Sequence, residues 1–175
     1  MGAGCIGLVS MMALKARGVS EVYVVDIMEK TSGKSPGTGR NRSDQRRKRG
    51  CDRQSTGTDR WAGMDLIIET AGTEITTRQA IHMAKKGSTI VLVGYSKSGE
   101  MTLPMSLVLD KELTFKTVFR YRHIYPIAID AVASGKVNVK GIVTNIYDLD
   151  DVQRAMDESV HNKADIVKGV IKIHP

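Results

Sequence analysis

The sequence has few cysteines and few aromatic residues, and it lacks any long uninterrupted apolar stretch. The two cysteines, Cys5 and Cys51, cannot build a disulfide framework, and neither has a second cysteine or histidine at metal-ligand spacing. The sequence contains no run of about 18 apolar residues, the pattern that would predict a transmembrane helix. Met1 leads directly into a glycine turn, without the basic and apolar segments of a secretion signal. We therefore expect a cytoplasmic protein without membrane contacts and without a metal site of its own.

Positive charge is concentrated in one part of the sequence. The 175 residues carry a formal net charge of +7, a value that can indicate a nucleic-acid-binding protein. Residues 31–61 contain nine lysines or arginines against three aspartates, which accounts for +6 of that charge. The segment has only one aromatic residue, Trp61, that could stack on a base. Nucleic-acid binding therefore remains an alternative function only as non-specific attraction between residues 31–61 and the phosphates.

Outside residues 31–61, apolar strands alternate with helical segments. The predicted strands are VYVVD, MDLIIET, STIVLVGYS, LTFKTVF and DIVKGVIKI. The predicted helices are LVSMMALKARG, TTRQAIHMAKKG, YPIAIDAVASGK and DLDDVQRAMDESV, with a further segment around LPMSLVLDKE. This alternation predicts an α/β protein with a doubly wound parallel sheet, the Rossmann arrangement. Because the chain opens on the glycine turn, we expect the sheet to lack its first strand.

Residues 31–61 do not fit this alternation. They contain almost no aliphatic side chains and no periodicity, so their literal interpretation is a disordered basic loop. A structureless loop of that length is uncommon inside a compact domain. Read one base later, the degenerate codons permit Glu-Leu-Gly-Ala-Thr-Glu-Val-Ile and then Asp-Val-Ile-Ala-Lys, and the original frame resumes at Ala62. We hypothesise that residues 31–61 are an aberrant, frameshifted segment, in which Cys51 and Trp61 have no evolved role; the coding DNA tests this.

Three glycines, Gly2, Gly4 and Gly7, form a GxGxxG motif directly before a predicted helix. Glycine permits a tight turn and a close approach to a pyrophosphate, and the helix amino terminus supplies N–H donors to the phosphates. Asp26 closes the next predicted strand, where a carboxylate accepts hydrogen bonds from an adenosine ribose and repels a 2′-phosphate. The motif therefore predicts a site that prefers NAD over NADP. The alternative is a glycine turn that closes a strand–helix junction without a ligand.

Several segments carry a resemblance to one enzyme family. They are GAGCIGL, EVYVVDI, GMDLIIETAG, GSTIVLVG and VFRYRHIYPIAIDAVASGKVNVKGIVT. They are similar to the corresponding segments of sorbitol and xylitol dehydrogenases in the medium-chain, zinc-dependent alcohol dehydrogenase family. The resemblance implies a carboxy-terminal fragment, with an NAD-binding domain over residues 1–118 and a return to the GroES-like catalytic domain over residues 119–175. It also implies NAD-dependent oxidation of a polyol or secondary alcohol to a ketose by a full-length homodimer or homotetramer.

The resemblance also implies particular site residues. Beyond the glycines and Asp26, the cofactor contacts it implies are Ile6, Val93, Gly94, Tyr95, Val118, Phe119 and Arg120. Arg120 and Tyr121 match the family's substrate-side pair, whose donors can bind polyol hydroxyls. The family holds its catalytic zinc in an amino-terminal domain, so we expect no catalytic residue and no metal ligand here, and no activity from this chain alone. A non-catalytic dinucleotide-binding fragment of low stability is thus a further alternative.

Other polar and sulfur-containing residues favour structural roles. Thr31 stands where the family commonly has an arginine. We interpret Glu69 as the cap of a strand end, His82 as a surface or half-buried structural histidine, and His123 as exposed. We expect five methionines in the core: Met11, Met12, Met83, Met101 and Met105. An acidic run suits the start of a helix, where carboxylates meet unpaired N–H groups: Asp148, Asp150 and Asp151.

Overall fold

A computed structural model describes residues 1–26, 62–162 and 165–173. The hypotheses about residues 31–61, including the basic loop, the frameshift, Thr31, Cys51 and Trp61, concern residues outside these ranges. The chain divides into two compact units, which we describe separately. The first unit contains residues 1–2 and 44–121, and the second contains residues 3–43 and 122–175.

Helices and strands alternate along most of the described chain. In order they are α1 (Cys5–Ala16), β1 (Met64–Glu69), α2 (Glu74–Met83), β2 (Ala84–Leu92), α3 (Met105–Asp110), β3 (Thr114–Thr117), α4 (Tyr125–Ala133), β4 (Asn145–Asp148), α5 (Val152–His161) and β5 (Gly169–Lys172). Two short 3₁₀ helices, Val139–Ile142 and Leu149–Asp151, precede β4 and α5. No helix in the described ranges has the length and apolarity needed to cross a bilayer.

The first unit is built on a parallel sheet with the strand order β1-β2-β3. In its register, Ile90 of β2 lies between Ile67 of β1 and Phe115 of β3. Ile67 and Ile90 are buried together with Ala80 and Ile81 of α2. Because α2 connects two adjacent parallel strands and packs on them, the predicted α/β fold with a parallel sheet is confirmed in this unit.

Helix α2 is shorter than its sequence predicts. Thr73 caps its amino terminus by accepting a hydrogen bond from the N–H of Thr76 at 3.2 Å. The predicted helix runs on to Gly87, but the observed one ends at Met83. That extension is wrong because Ala84 already pairs with the first residue of β1, and strand pairing overrides the local helical preference.

The second unit contains α1, α4, α5 and a parallel pair of strands, β4 and β5. Its core joins Leu8, Met11 and Met12 of α1 to Val137 and Ile142. The predicted strand VYVVD is wrong: residues 21–26 have no regular secondary structure, although two valines from this stretch pack against the core. A strand requires a hydrogen-bonded neighbour, and none pairs with this stretch within the described residues.

A polar cluster fixes α5 against β4. The hydroxyl of the buried residue Tyr147 donates to the Glu158 carboxylate at 2.6 Å, and this hydrogen bond raises the pKa of Tyr147. The Arg154 guanidinium lies 5.4 Å from the centre of the Tyr147 ring and 2.7 Å from the Asp151 carboxylate, whose pKa it lowers. Since Asp151 directly precedes α5, the acidic run lies at a helix start, as predicted.

The methionine predictions are mostly confirmed. Met11 and Met12 are buried, Met83 packs against the core of the first unit, and Met101 is half-buried. Met105 is 56% exposed, so its assignment to the core is wrong. Helix α3 is only six residues long, and it buries Val108 instead.

Candidate cofactor-binding site

The carboxyl ends of the three parallel strands lie side by side in the first unit. The backbone carbonyl of Glu69 accepts hydrogen bonds from the N–H groups of Val93 at 2.8 Å and Gly94 at 3.0 Å. The carbonyl of Leu92 accepts one from Val118 at 2.9 Å. Open parallel sheets bind ligands in the crevice beyond this edge. Three of the residues predicted to contact the cofactor, Val93, Gly94 and Val118, are therefore brought together there.

Met1 runs beside the end of β1. Its amino group donates to the carbonyl of Ile68 at 2.8 Å, and its carbonyl accepts from the N–H of Thr70 at 3.0 Å. Bonds to residues 68 and 70 from one neighbour follow the pattern of a parallel ladder. Gly2 then turns with φ +92°, and a Cβ there would lie 2.7 Å from the Thr70 hydroxyl oxygen. Glycine is required at this turn both for its backbone angle and for its closeness to Thr70.

The Glu69 side chain caps the loop that follows β1. It is fully buried, and its carboxylate accepts hydrogen bonds from the N–H groups of Ala71 at 2.8 Å and Gly72 at 3.1 Å. The Thr76 hydroxyl donates to the same carboxylate at 2.9 Å. This is the strand-end cap that the sequence predicts. The partners themselves were not predicted, although Gly72, three residues after the strand end, was a signal for a tight turn.

A cavity of about 350 Å³ lies between the loop after β1 and the loop after β2. It is lined by residues 71–74 and 95–98. The two loops meet backbone to backbone: a Cβ on Gly72 would lie 2.5 Å from the Tyr95 carbonyl oxygen, and one on Gly94 would lie 2.1 Å from the Gly72 nitrogen. Tyr95 lines this cavity with a side chain that is 80% exposed.

The second unit holds the rest of the glycine motif. Gly4 is the N-cap of α1, and among the described residues no atom other than those of Gly4 and its chain neighbours lies within 4 Å of the position that its Cβ would occupy. The N–H of the buried Ala3 donates to the Asp26 carboxylate at 2.5 Å. The first turn of α1 thus has open space before it and an acidic group beside it. Gly7 lies within α1 and is half-buried, whereas Ile6 is exposed.

This arrangement fits a dinucleotide. A helix amino terminus behind a glycine turn offers N–H donors to a pyrophosphate, and an adjacent carboxylate can accept hydrogen bonds from a ribose. It does not fit a metal ion: the described residues contain no group of three His, Cys, Asp or Glu side chains that could hold one. No zinc-dependent step can therefore be assigned to the described residues.

The predicted substrate-side pair, Arg120 and Tyr121, and the predicted cofactor contact Phe119 are all exposed. Phe119 and Tyr121 are 76% and 70% exposed, and the Arg120 guanidinium lies 4.8 Å from the centre of the Phe119 ring. None of the three lines the cavity between residues 71–74 and 95–98. His82 lies exposed on α2, and His123 is also exposed, as predicted for both residues.

Comparison with known proteins gives a consistent result. The family described as zinc-binding dehydrogenase matches residues 5–134. The zinc-type alcohol dehydrogenase-like protein YdjJ of Escherichia coli K12 is 40% identical over 173 residues, which are 99% of this chain and 49% of that protein. Bovine sorbitol dehydrogenase is 33% identical over 177 residues, covering 99% of this chain and 49% of the enzyme.

A solved structure is also similar. It is an Escherichia coli oxidoreductase/dehydrogenase of unknown specificity, with a TM-score of 0.86 and 40% identity. The match covers 99% of this chain and 50% of that one. The chain therefore spans about half the length of the curated relatives it matches.

Proposed function

The chain belongs to the zinc-binding dehydrogenase family, and from that premise we propose that it binds NAD as the cofactor-binding part of a polyol dehydrogenase. The observation that carries the proposal is the pairing of Asp26 with the glycine turn. Its carboxylate lies against the N–H of Ala3, directly before the N-cap of α1. A ribose bound beside this turn would find an acceptor for its hydroxyl groups, while a 2′-phosphate would meet a negative charge.

The roles of the chain's own residues follow from this placement. The N–H groups in the first turn of α1 would donate to the pyrophosphate, and the missing side chain of Gly4 lets the phosphates approach them. In the first unit, the proposed cofactor contacts are Val93, Gly94 and Tyr95, the three residues that follow β2. Bound NAD⁺ would supply the hydride acceptor for alcohol oxidation in the full-length enzyme.

The proposed substrate is a polyol or secondary alcohol, oxidised to a ketose by the full-length enzyme. Support comes from the relative that is named sorbitol dehydrogenase. Exposed hydrogen-bond donors at Arg120 and Tyr121 also suit hydroxyl groups. Because the described residues offer no donor set for zinc, we propose that this chain binds the cofactor without oxidising alcohols by itself.

The test is isothermal titration calorimetry with NAD⁺ and NADP⁺. We expect the wild-type chain to bind NAD⁺ at least about tenfold more tightly than NADP⁺, a difference of roughly 1.4 kcal/mol. Asp26→Asn should weaken NAD⁺ binding and narrow the preference between the two cofactors. Asp130→Asn removes the same charge from an exposed position on α4 and should change neither value. Wild-type chain that binds neither cofactor, or an Asp26→Asn variant that keeps the full preference, would refute the proposal.

A further inference from the structure

We propose that Glu69 is a positioning residue that holds together the two loops bordering the cofactor, the loop after β1 and the loop after β2. The inference rests on the proposed binding of NAD. It adds a residue that supports this binding through the two loops without contacting the cofactor itself. Glu69 is the last residue of β1 and belongs to the most buried side chains of the described ranges. It bonds to one loop through its side chain and to the other through its backbone.

The side chain fixes the loop after β1. One carboxylate oxygen accepts from the N–H of Ala71 at 2.8 Å and from the Thr76 hydroxyl at 2.9 Å. The N–H of Gly72 lies 3.2 Å from that oxygen and 3.1 Å from the other. The bonds to Ala71 and Gly72 hold the turn, and the bond to Thr76 ties it to the first turn of α2. Hydrogen bonds to a charged acceptor are stronger than those between neutral groups, so this loop has little freedom to move.

The backbone fixes the loop after β2. The carbonyl of Glu69 accepts from the N–H groups of Val93 and Gly94, the two residues that follow β2. The same two loops also touch directly, since a Cβ added to Gly72 would collide with the backbone of Tyr95. Displacement of Gly72 would therefore displace Tyr95, because neither backbone has space to move independently.

The position of Gly72 thus depends on a buried negative charge. Among the described residues Glu69 forms no ion pair, and N–H and O–H donors alone satisfy its carboxylate. If the carboxylate is removed, the N–H of Gly72 is left buried without its acceptor, a cost that the loop can relieve only by moving. Such movement would alter the cavity lined by residues 71–74 and 95–98. Loss of cofactor affinity should follow, although Glu69 does not line that cavity.

A matched variant separates this role from general stability. Lys111 holds the opposite end of α2, where its amine donates to the carbonyls of Ile81, His82 and Ala84. Glu69→Ala and Lys111→Met each remove a charged group that fixes one end of the same helix. Both should lower the midpoint of thermal unfolding. Only Glu69→Ala should affect the two loops at the carboxyl edge of the sheet.

The experiment measures NAD⁺ affinity by calorimetry at a temperature at which every variant is folded. We expect Glu69→Ala to weaken binding at least about tenfold, and Lys111→Met to retain wild-type affinity. Glu69→Gln should restore part of the loss, because its carbonyl oxygen can accept from Ala71 and Thr76. If Glu69→Ala does not fold, Thr76→Val removes one donor and should weaken binding by a smaller factor. Equal losses in Glu69→Ala and Lys111→Met, or no loss in either, would overturn the inference.

Amide hydrogen exchange without NAD⁺ supplies a second readout that does not depend on the proposed function. Glu69→Ala should accelerate exchange in residues 70–76 and also in residues 93–96, whereas Lys111→Met should leave both stretches protected. Faster exchange confined to residues 70–76 would contradict the coupling of the two loops. If the wild-type chain binds no NAD⁺, the proposed function fails, and the exchange pattern alone decides whether Glu69 couples them.

Discussion

Replacement of Lys111 by methionine should destabilise the first unit without touching its carboxyl edge. The amine of Lys111 lies 3.0 Å from the Ile81 carbonyl oxygen and 2.8 Å from those of His82 and Ala84. These carbonyls lie where α2 ends, and helix ends leave carbonyls without partners inside the helix. Methionine preserves most of the apolar stem but removes all three donors.

The expected loss is about 2 kcal/mol of unfolding free energy. A single hydrogen bond to a charged group contributes roughly 1.5–3 kcal/mol, and a cation at a helix carboxyl terminus adds roughly 0.3–1 kcal/mol. Simple addition would overestimate the effect, because burial lowers the pKa of Lys111 and so opposes its charge. Partial exposure of this side chain further weakens each bond.

Urea denaturation followed by circular dichroism measures this loss as a shift of the midpoint at constant slope. Lys116→Met is the control, since it removes the same charge from an exposed position on β3 and should change stability by less than about 0.5 kcal/mol. If Lys111→Met destabilises no more than Lys116→Met, the three hydrogen bonds do not hold the end of α2 and the reasoning fails.

Two further substitutions test the second unit by the same denaturation assay. Tyr147→Phe keeps the ring beside Arg154 but removes the donor to Glu158. It should lower the free energy of unfolding by about 1–2 kcal/mol. Unchanged stability would show that water replaces the hydroxyl at no cost. Met12→Ala should cost about 2–4 kcal/mol because it opens a cavity in the core beside Leu8, while the equivalent change at the exposed Met105 should cost under about 0.5 kcal/mol. Similar losses at both methionines would contradict the burial assigned to them.

The parts of the fold that the sequence predicts are those that depend on neighbouring residues. The apolar runs that form β1, β2 and β3 alternate with helical segments, and this pattern favours parallel pairing of strands joined by helices. The strand-end role of Glu69 is also local, because the residues that it caps follow within seven positions. Patterns over a short stretch of chain contain enough information for features of this kind.

The features that sequence analysis missed depend on distant residues. The end of α2 at Met83 is fixed by Lys111, whose three acceptor carbonyls lie 27 to 30 positions earlier in the chain. It is also fixed by the pairing of Ala84 with Met64, 20 positions away. Strand β4 has only four residues, and its partner β5 follows after α5. The absent strand at residues 22–26 shows the same limitation, since an apolar run forms a strand only where a neighbour supplies its hydrogen bonds.

The two charged residues that fix α2 lie at opposite ends of the helix and should differ in what they contribute. Glu69 acts at the carboxyl end of β1, where parallel sheets place their ligands, and Lys111 acts near the start of β2. Since Glu69 and Lys111 have different hydrogen-bond partners within the described ranges, their effects on unfolding should add within about 0.5 kcal/mol in the double variant. Their effects on NAD⁺ affinity should not resemble each other, because only the Glu69 carboxylate bonds to a loop that lines the cavity. Both ends of the helix should thus contribute to stability, whereas only the end held by Glu69 should also determine the position of the loops.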